Sequence, residues 1–225
     1  MKECKQCGTC CEKSGATLHM EDKYLVDSGK INPTDLVTLR KGEIALDPFS
    51  NEKTCLEKEI IKIKGSSNSW QCIYFDGASK KCSIYEKRPV ECRLLKCWDT
   101  KPLASIINKN LLSREALFSK APDLYDLIST HEKKCSYKKV KKLLQDTDKN
   151  KDENALKELK EIILFDINLR EIMEEKHKNL ALMQDLILGR CFQDTLPQFK
   201  YKIKYNEEEG LVISPFKINK LLETI

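Results

Sequence analysis

Four cysteines lie within the first eleven residues, and they constrain this chain more than any other feature of its sequence. Cys4, Cys7, Cys10 and Cys11 follow one another at steps of three, three and one. Their polar neighbours argue against a buried strand or helix, and Gly8 supplies the backbone freedom that a metal-binding loop needs. Thiolates spaced in this way suit zinc, copper(I) or an iron–sulfur cluster, with a redox-active or accidental Cys-x-x-Cys pair as the alternative. The N-terminus is interpreted as half of a metal site.

A second group of cysteines follows at wider and regular spacing. Nine residues separate Cys72 from Cys82, nine separate Cys82 from Cys92, and four separate Cys92 from Cys97. Each lies on its own predicted local element, and Pro89 is expected to start the short helix that carries Cys92. Isolated cysteines are often small buried hydrophobes. Together with the N-terminal four, however, they make eight thiols, which is enough for two four-cysteine sites.

The other cysteines and the histidines are interpreted as residues outside the metal site. Three cysteines lack partners at ligand spacing and are expected to be ordinary: Cys55, Cys135 and Cys191. His19 is expected to be structural or exposed. His131 and His177 lie in stretches rich in lysine and glutamate and are expected to be exposed.

Composition is consistent with metal binding. The chain has 225 residues, 11 cysteines, 33% charged residues and a net charge of +5. We find no apolar run of membrane-spanning length and no signal-peptide pattern, so we expect a cytoplasmic protein without a membrane partner. Thiols stay reduced in that compartment, which favours metal ligation over disulfides. The modest basic excess does not argue for nucleic acid, and a protein or small-molecule partner cannot be identified from the sequence.

Basic residues are concentrated around the second cysteine group. Between residues 80 and 96 only Glu86 and Glu91 oppose six cations: Lys80, Lys81, Lys87, Arg88, Arg93 and Lys96. A dication or an oxidised four-iron cluster bound by four thiolates is net dianionic, and nearby cations stabilise it. A solvated basic loop is the alternative.

Residue patterns in the N-terminal half predict short elements. Asp22 can cap a helix, and Asn32-Pro33 can open another one that includes residues 36–39. The β-forming residues of 58–64 and 70–75 predict two short strands.

Residues 99–190 have a helical pattern. Pro122 is a plausible first helical residue, and a polar break at 146–153 precedes the longest helix. The alternating segment 199–205, followed by Gly210 and an apolar stretch, predicts a C-terminal hairpin.

These patterns predict a mainly α protein with small β elements, of the α+β class. Residues 1–100 form a cysteine-rich metal-binding region. Residues 101–225 form a helical region that ends in a β-hairpin. We expect the two regions to make one compact unit.

Two motifs together give a resemblance to a known family. Cys4-x-x-Cys7-Gly8-x-Cys10-Cys11, followed by Cys82-Ser-Ile-Tyr85-x-x-Arg88-Pro89-x-x-Cys92-Arg93, resembles the YkgJ-type cysteine-cluster family. The resemblance covers about residues 1–100 and implies a zinc- or iron-chelating domain, often grouped with iron–sulfur proteins. The ligands that it implies are Cys4, Cys7, Cys10, Cys11, Cys72, Cys82 and Cys92. Many relatives continue with Cys-Arg-x-Tyr-Pro-Phe where this chain has Cys97, which is therefore an additional candidate ligand.

Three functions remain open from the sequence. A Cys-x2-Cys-x2-Cys run with remote further thiols is closer to ferredoxin usage than to paired zinc knuckles, which slightly favours a [4Fe-4S] cluster in redox, sensing or metal handling. The second reading is a zinc-binding structural or interaction protein. The third is a cluster-dependent enzyme, because a flagellin lysine N-methylase carries a similar cysteine cluster. No catalytic residue can be assigned from the sequence.

Overall fold

A computed structural model describes residues 4, 6–47, 52–66, 69–206 and 210–215. The chain divides into two compact units, and each takes residues from both halves of the sequence. The thiol unit comprises Met1–Leu39, Glu59–Leu127 and Leu182–Gly189, and the helical unit comprises Arg40–Lys58, Ile128–Ala181 and Arg190–Ile225.

The secondary structure is mixed α+β, as predicted from the sequence. The helices along the chain are α1 (Thr9–Lys13), α2 (Lys23–Asp27), α3 (Val90–Leu94), α4 (Lys101–Ala104), α5 (Arg114–Leu117), α6 (Pro122–Lys134), α7 (Tyr137–Asn150), α8 (Glu153–Lys176), α9 (Lys178–Ala181), α10 (Gln184–Ile187) and α11 (Phe192–Thr195). The strands are β1 (Leu36–Leu39), β2 (Ile44–Leu46), β3 (Lys53–Cys55), β4 (Ile60–Ile63), β5 (Phe75–Asp76), β6 (Lys81–Cys82), β7 (Tyr201–Asn206) and β8 (Gly210–Pro215). Short 3-10 turns cover Met20–Asp22, Pro33–Asp35, Tyr85–Lys87 and Leu196–Phe199.

The core of the thiol unit is built on the antiparallel pair β1–β4, in which Leu36 lies opposite Ile63 and Leu39 opposite Ile60. Leu18 N donates to Ile61 O across the other edge of β4. Apolar side chains from several segments pack here and are buried: Leu18, Leu25, Ile31, Leu36, Ile61, Ile63, Cys72, Phe75, Leu112 and Leu186. This core is the support on which the cysteine-bearing segments lie.

Two local predictions in this unit were wrong. Asn32-Pro33 opens only the 3-10 turn Pro33–Asp35, and residues 36–39 form β1 rather than a helix. All four residues of β1 are buried because β4 supplies a pairing partner that the local sequence does not reveal. The strand predicted over 70–75 is reduced to an isolated bridge between Gly65 and Cys72 and to the two residues of β5.

The helical unit is organised by α7 and α8, with the β7–β8 hairpin packed on the same core. Helix α7 turns an apolar side inward, with Val140, Leu143 and Leu144 buried. The predicted hairpin is confirmed, and Ile203 and Ile213 face each other across it. Tyr201 and Ile203, which share one face of β7, pack against the core, whereas Tyr205 further along that face is exposed.

Helix boundaries in this unit differ from the predicted break. Helix α7 continues through Asn150, into the segment predicted to be a break. Asp152 then caps α8, because its Oδ1 accepts hydrogen bonds from Asn154 N at 2.9 Å and Ala155 N at 3.1 Å. Another interruption falls before Tyr137, the first residue of α7, where the Ser136 hydroxyl caps the helix. The capping side chains, rather than overall polarity, decide where these helices begin.

His131 is buried, contrary to the sequence prediction, whereas His177 is exposed as predicted. The His131 Nε2 lies 2.7 Å from Asp166 Oδ1, and the ring stacks on Phe165. Arg170 donates to both oxygens of Asp166, at 3.2 Å and 3.1 Å. Burial alone would raise the pKa of Asp166, but the hydrogen bond with His131 and the charge of Arg170 lower it to about 2. A partner on a distant helix made this histidine a core residue.

No helix in the described residues is long and apolar enough to cross a membrane.

Replacing Asp166 with Asn should lower the free energy of unfolding at pH 7 by about 3 kcal/mol. The substitution removes the negative charge of the buried ion pair between Asp166 and Arg170 and leaves the positive charge. The control Glu158→Gln, which breaks the exposed contact with Lys139, should change it by less than about 1 kcal/mol. Chemical denaturation of the metal-free chain measures both values.

The difference between wild type and Asp166→Asn should depend on pH. Since folding lowers the pKa of Asp166 to about 2, ionised Asp166 stabilises the folded chain fully above about pH 4. That stabilisation is lost as the pH falls towards 2. A difference that stays constant over this range would contradict the assignment of the charge to Asp166.

Candidate metal centre

The first thiols are presented by α1, which starts directly after Gly8. Gly8 has a φ of 81°, and its carbonyl accepts a hydrogen bond from Glu12 N at 2.9 Å. This turn places Cys10 and Cys11 in the first helical turn, with their Sγ atoms 4.0 Å apart. Gly8 also lies against the ring of buried Phe75, so the turn is in contact with the core.

Cys72 connects the N-terminal thiols to the folded body. Its backbone N–H donates to Cys11 O at 2.8 Å, and Cys72 also forms an isolated β-bridge with Gly65. The Cys72 side chain is buried in the core of the thiol unit. Because Gly65 follows β4 closely, the segment that carries Cys11 is held against the β1–β4 pair.

The other two thiols reach the same region from separate elements. Cys82 is on β6, directly opposite Phe75 on β5. Cys92 is on α3, which begins immediately after Pro89, and it packs against the same core as Cys11. The elements that carry these cysteines are too short to be stable in isolation, and tertiary contacts with the core hold them in place.

The thiols interact electrostatically with one another. Burial raises the pKa of Cys92, and negative charge on Cys72, Cys10 and Cys82 would raise it further. Burial likewise raises the pKa of Cys72, with Cys82 and Cys10 adding to the effect. The structure thus brings Cys10, Cys72, Cys82 and Cys92 into one neighbourhood, and Cys11 interacts with Cys10, Cys92 and Cys72.

Cys10 and Cys11 have opposite tendencies to ionise. The hydrogen bond between the two thiols, in which either sulfur can be the donor, lowers the pKa of Cys10 to about 6, and the charge of Arg88 contributes to this. The same hydrogen bond and burial raise the pKa of Cys11. One thiol of this pair is therefore ionised near neutral pH. The other loses its proton only when a cation such as a metal ion binds.

Three predicted ligands, Cys4, Cys7 and Cys97, are exposed. Cys7 is exposed, and hydrogen bonding to Thr9 lowers its pKa. Cys4 and Cys97 are also exposed. Cys4 Sγ accepts a hydrogen bond from Gln6 N, and Cys97 lies in the turn that is closed by a β-bridge between Lys96 and Asp99. Across the described residues, no three Cys, His, Asp or Glu side chains are gathered at metal-ligand geometry. The chemistry of the thiols, which are soft donors, nevertheless suits zinc or iron.

Two of the basic residues predicted around the second cysteine group, Arg88 and Lys80, lie near the turn that carries Cys10 and Cys11. Arg88 Nε donates to Tyr85 O at 2.7 Å, and its guanidinium lies 3.6 Å from the centre of the Tyr85 ring. Lys80 forms an ion pair with Glu12 on α1. These contacts hold positive charge beside the cysteine-bearing turn.

A buried polar group that sequence reasoning missed supports the Cys92 helix. Asp22 is fully buried, and its two oxygens accept hydrogen bonds from Val90 N at 2.9 Å and His19 N at 3.0 Å. Glu91 accepts from Thr17 N at 2.7 Å. Only the capping potential of Asp22 was visible in the sequence, and its side chain serves the start of α3 instead of α2.

His19 belongs to the same group, which confirms its structural interpretation. Its Nδ1 lies 2.8 Å from Lys109 O, and its Nε2 lies 3.4 Å from Glu91 Oε1. The hydrogen bond with Glu91 raises the pKa of His19. Both ring nitrogens are thereby occupied within the supporting network.

The thiol unit contains a shallow cleft of about 380 Å³. It is formed by the segment between Cys72 and Cys82, and its lining residues are Ile73, Tyr74, Phe75, Asp76, Ser79, Lys81 and Ser83. Its polar lining residues lie near Cys72 and Cys82 in the sequence, but neither of these cysteines lines the cleft.

A group of cysteines of this kind is typical of proteins that chelate metals through clustered thiolates. A family model named CxxCxxCC, with the description "Putative zinc- or iron-chelating domain", matches residues 3–115. The chain belongs to this family. The matched range contains all eight predicted ligand cysteines and excludes Cys135 and Cys191. No curated protein and no solved structure matches the chain significantly.

Replacing Gly8 with Ala should destabilise the chain, because the new Cβ would lie inside the ring of Phe75. Gly29→Ala is the matched control, since Gly29 also has a positive φ but has no atom within 4 Å of the added Cβ. We expect Gly8→Ala to cost about 2 kcal/mol more than Gly29→Ala in chemical denaturation. Equal costs would show that the turn does not depend on Phe75.

Replacing Asp22 with Ala should cost about 3 kcal/mol of unfolding free energy, because it leaves two buried N–H groups, of His19 and Val90, without an acceptor. Asp27→Ala, which removes an exposed partner of Lys23 in α2, should cost less than about 1 kcal/mol. A comparable loss from both variants would contradict the supporting role of Asp22.

Proposed function

We propose that this chain binds one or two metal centres through cysteine thiolates, and that an iron–sulfur cluster, of the [4Fe-4S] type, is the favoured occupant. The candidate ligands are Cys4, Cys7, Cys10, Cys11, Cys72, Cys82, Cys92 and Cys97. The observation that carries the proposal is the convergence of Cys10 and Cys11 with Cys72, Cys82 and Cys92 from four separate segments. Membership of a zinc- or iron-chelating family supports the same class of ligand.

The protonation of the thiols supports binding by this cluster. Metal ligation requires thiolates, and a bound cation releases the protons that burial retains on Cys11, Cys72 and Cys92. The Cys10–Cys11 pair, in which the shared hydrogen bond lowers the pKa of one thiol, is the best prepared to take the first bond. The other thiol of the pair then serves a second position or a second site.

The spacing of the ligands favours iron over zinc. Structural zinc sites usually take two ligands from each of two Cys-x2-Cys knuckles. Here a dense N-terminal run meets thiols that come singly from β6, α3 and the bridge at Cys72. Such a mixture of clustered and remote thiolates is closer to the ligation of iron–sulfur clusters.

The role that follows is redox chemistry, sensing or metal handling in a reducing compartment, the cytoplasm. A protein or small molecule is the expected partner. A purely structural zinc site in an interaction protein is the first alternative. The cleft lined by Asp76, Ser79, Lys81 and Ser83 favours the second alternative, a cluster-dependent enzyme that resembles a lysine N-methylase.

Metal content of cysteine variants tests the proposed site. Cys82→Ser should lose most of the bound metal and lower the unfolding midpoint, because ligation energy is also folding energy. Cys191→Ser is the matched control and should retain wild-type metal, as should variants of Cys55 and Cys135. Elemental analysis and acid-labile sulfide after anaerobic purification provide the measurement. Equal metal loss from Cys82→Ser and Cys191→Ser would refute this partition of the cysteines.

The same preparation distinguishes the metals. An iron–sulfur protein should be brown, with broad absorption near ~400 nm that bleaches on reduction. Colourless protein with stoichiometric zinc and no sulfide, even after anaerobic reconstitution, would decide for zinc.

A further inference from the structure

Cys55 and Lys141 form a contact in the helical unit that the proposed function does not use. The ammonium group of Lys141, on α7, donates to the sulfur of Cys55, the last residue of β3, at 3.0 Å. The thiol in turn donates to Gly42 O at 3.4 Å, and Cys55 is exposed. Two contacts therefore hold the sulfur where solvent reaches it and where an amine lies beside it.

The elements that carry the two side chains are fixed to each other through their backbones. In the hairpin of β2 and β3, Gly42 N donates to the carbonyl of Leu56, directly after Cys55, at 2.8 Å. Gly42 also lies against the start of α7, because a Cβ added to it would come within 2.7 Å of Tyr137 Cβ. Lys141 follows Tyr137 by one helical turn and shares its face of α7. The approach of Nζ to Sγ thus rests on packed backbone rather than on two free side chains.

An exposed thiol in this position can be oxidised by a hydroperoxide. Cys55 Sγ attacks one oxygen of hydrogen peroxide, the O–O bond breaks, and the thiol proton leaves with the second oxygen as water. The sulfur loses two electrons to the peroxide and becomes a sulfenic acid. A sulfenic acid condenses with a nearby thiol or nitrogen, and here the nearby nitrogen is Lys141 Nζ.

We propose that Cys55 and Lys141 form a reversible sulfenamide crosslink when a hydroperoxide oxidises the thiol. Lys141 Nζ releases one proton to solvent and attacks Sγ. The S–O bond breaks as the S–N bond forms, and the hydroxyl leaves as water with a second proton from the amine. A dithiol then reduces the S–N bond with two electrons and restores both side chains. The pair is a redox-sensitive link between β3 and α7, which goes beyond the proposed metal-binding function.

Peptide mapping of the full chain after treatment with hydrogen peroxide tests the crosslink. Tandem mass spectrometry should join the Cys55 peptide to the Lys141 peptide at a mass about 2 Da below their sum, because two hydrogens are lost. Dithiothreitol should return both peptides to their original masses. A linked pair that retains an oxygen atom would overturn the proposal, as would Cys55 found only as a sulfinic acid or in a disulfide.

Lys141→Arg separates the nucleophilic amine from its charge. Arginine keeps positive charge beside Sγ but stays protonated, so it cannot form the S–N bond. We expect no link in this variant. The Cys55 thiol that dithiothreitol recovers should fall about threefold or more below the wild-type amount, because the unprotected sulfenic acid proceeds to sulfinic acid. Equal recovery from Lys141→Arg and the wild type would show that only the charge matters.

A matched control lies on the same helix. Lys139 forms an ion pair with Glu158 at 2.6 Å, so Lys139→Met should link and recover as the wild type does. A loss of the link in Lys139→Met equal to that in Lys141→Arg would contradict the assignment of the amine to Lys141.

The outcomes are distinguishable from those of the proposed function. Neither Cys55 nor Lys141 is a candidate metal ligand, so Cys55→Ser should abolish the link and keep the wild-type metal content. The readout is a single pair of peptides and holds whether or not the wild type binds metal. A wild-type chain that binds metal but gives no Cys55–Lys141 link refutes this inference and leaves the metal centre standing.

Discussion

The hydrogen bond from Cys72 N to Cys11 O, at 2.8 Å, is the contact on which the arrangement of the thiols depends. It joins a short cysteine-rich turn, which has little apolar surface of its own, to a segment bridged to the end of β4. Phe75 supports the same junction by packing against Gly8. A helix as short as α1 is marginal in isolation, so its cysteines keep their positions because the core of the thiol unit holds them there.

Charge is the second constraint on this unit. Several thiols placed close together resist ionisation, and burial adds to that resistance for Cys72 and Cys92. Positive charge from Arg88 opposes the effect at Cys10, where it helps to lower the pKa of the thiol. Around the thiols, Asp22 holds the first N–H of α3. The result is a donor set whose charged form is favoured when a cation binds.

The sequence errors have a common physical origin in contacts between distant segments. His131 has polar neighbours in the sequence, but Asp166 on α8 provides a buried partner thirty-five positions away. Residues 36–39 begin after a helix-like opening, yet β4 pairs with them and buries them. Neither Asp166 nor β4 is adjacent in the chain, so periodicity and local propensity could not have revealed either contact.

The sequence by itself determined the chemical class of the site, because clustered thiols in polar surroundings have few uses other than binding metal or redox chemistry. It also determined the helical pattern of the C-terminal half and the terminal hairpin, which follow from residue periodicity. Only the tertiary structure decided which remote cysteines approach Cys10 and Cys11 and which side chains support them. Asp22 and His131 show the physical reason: their roles depend on what faces them across the fold, and side-chain spacing along one segment carries no information about that.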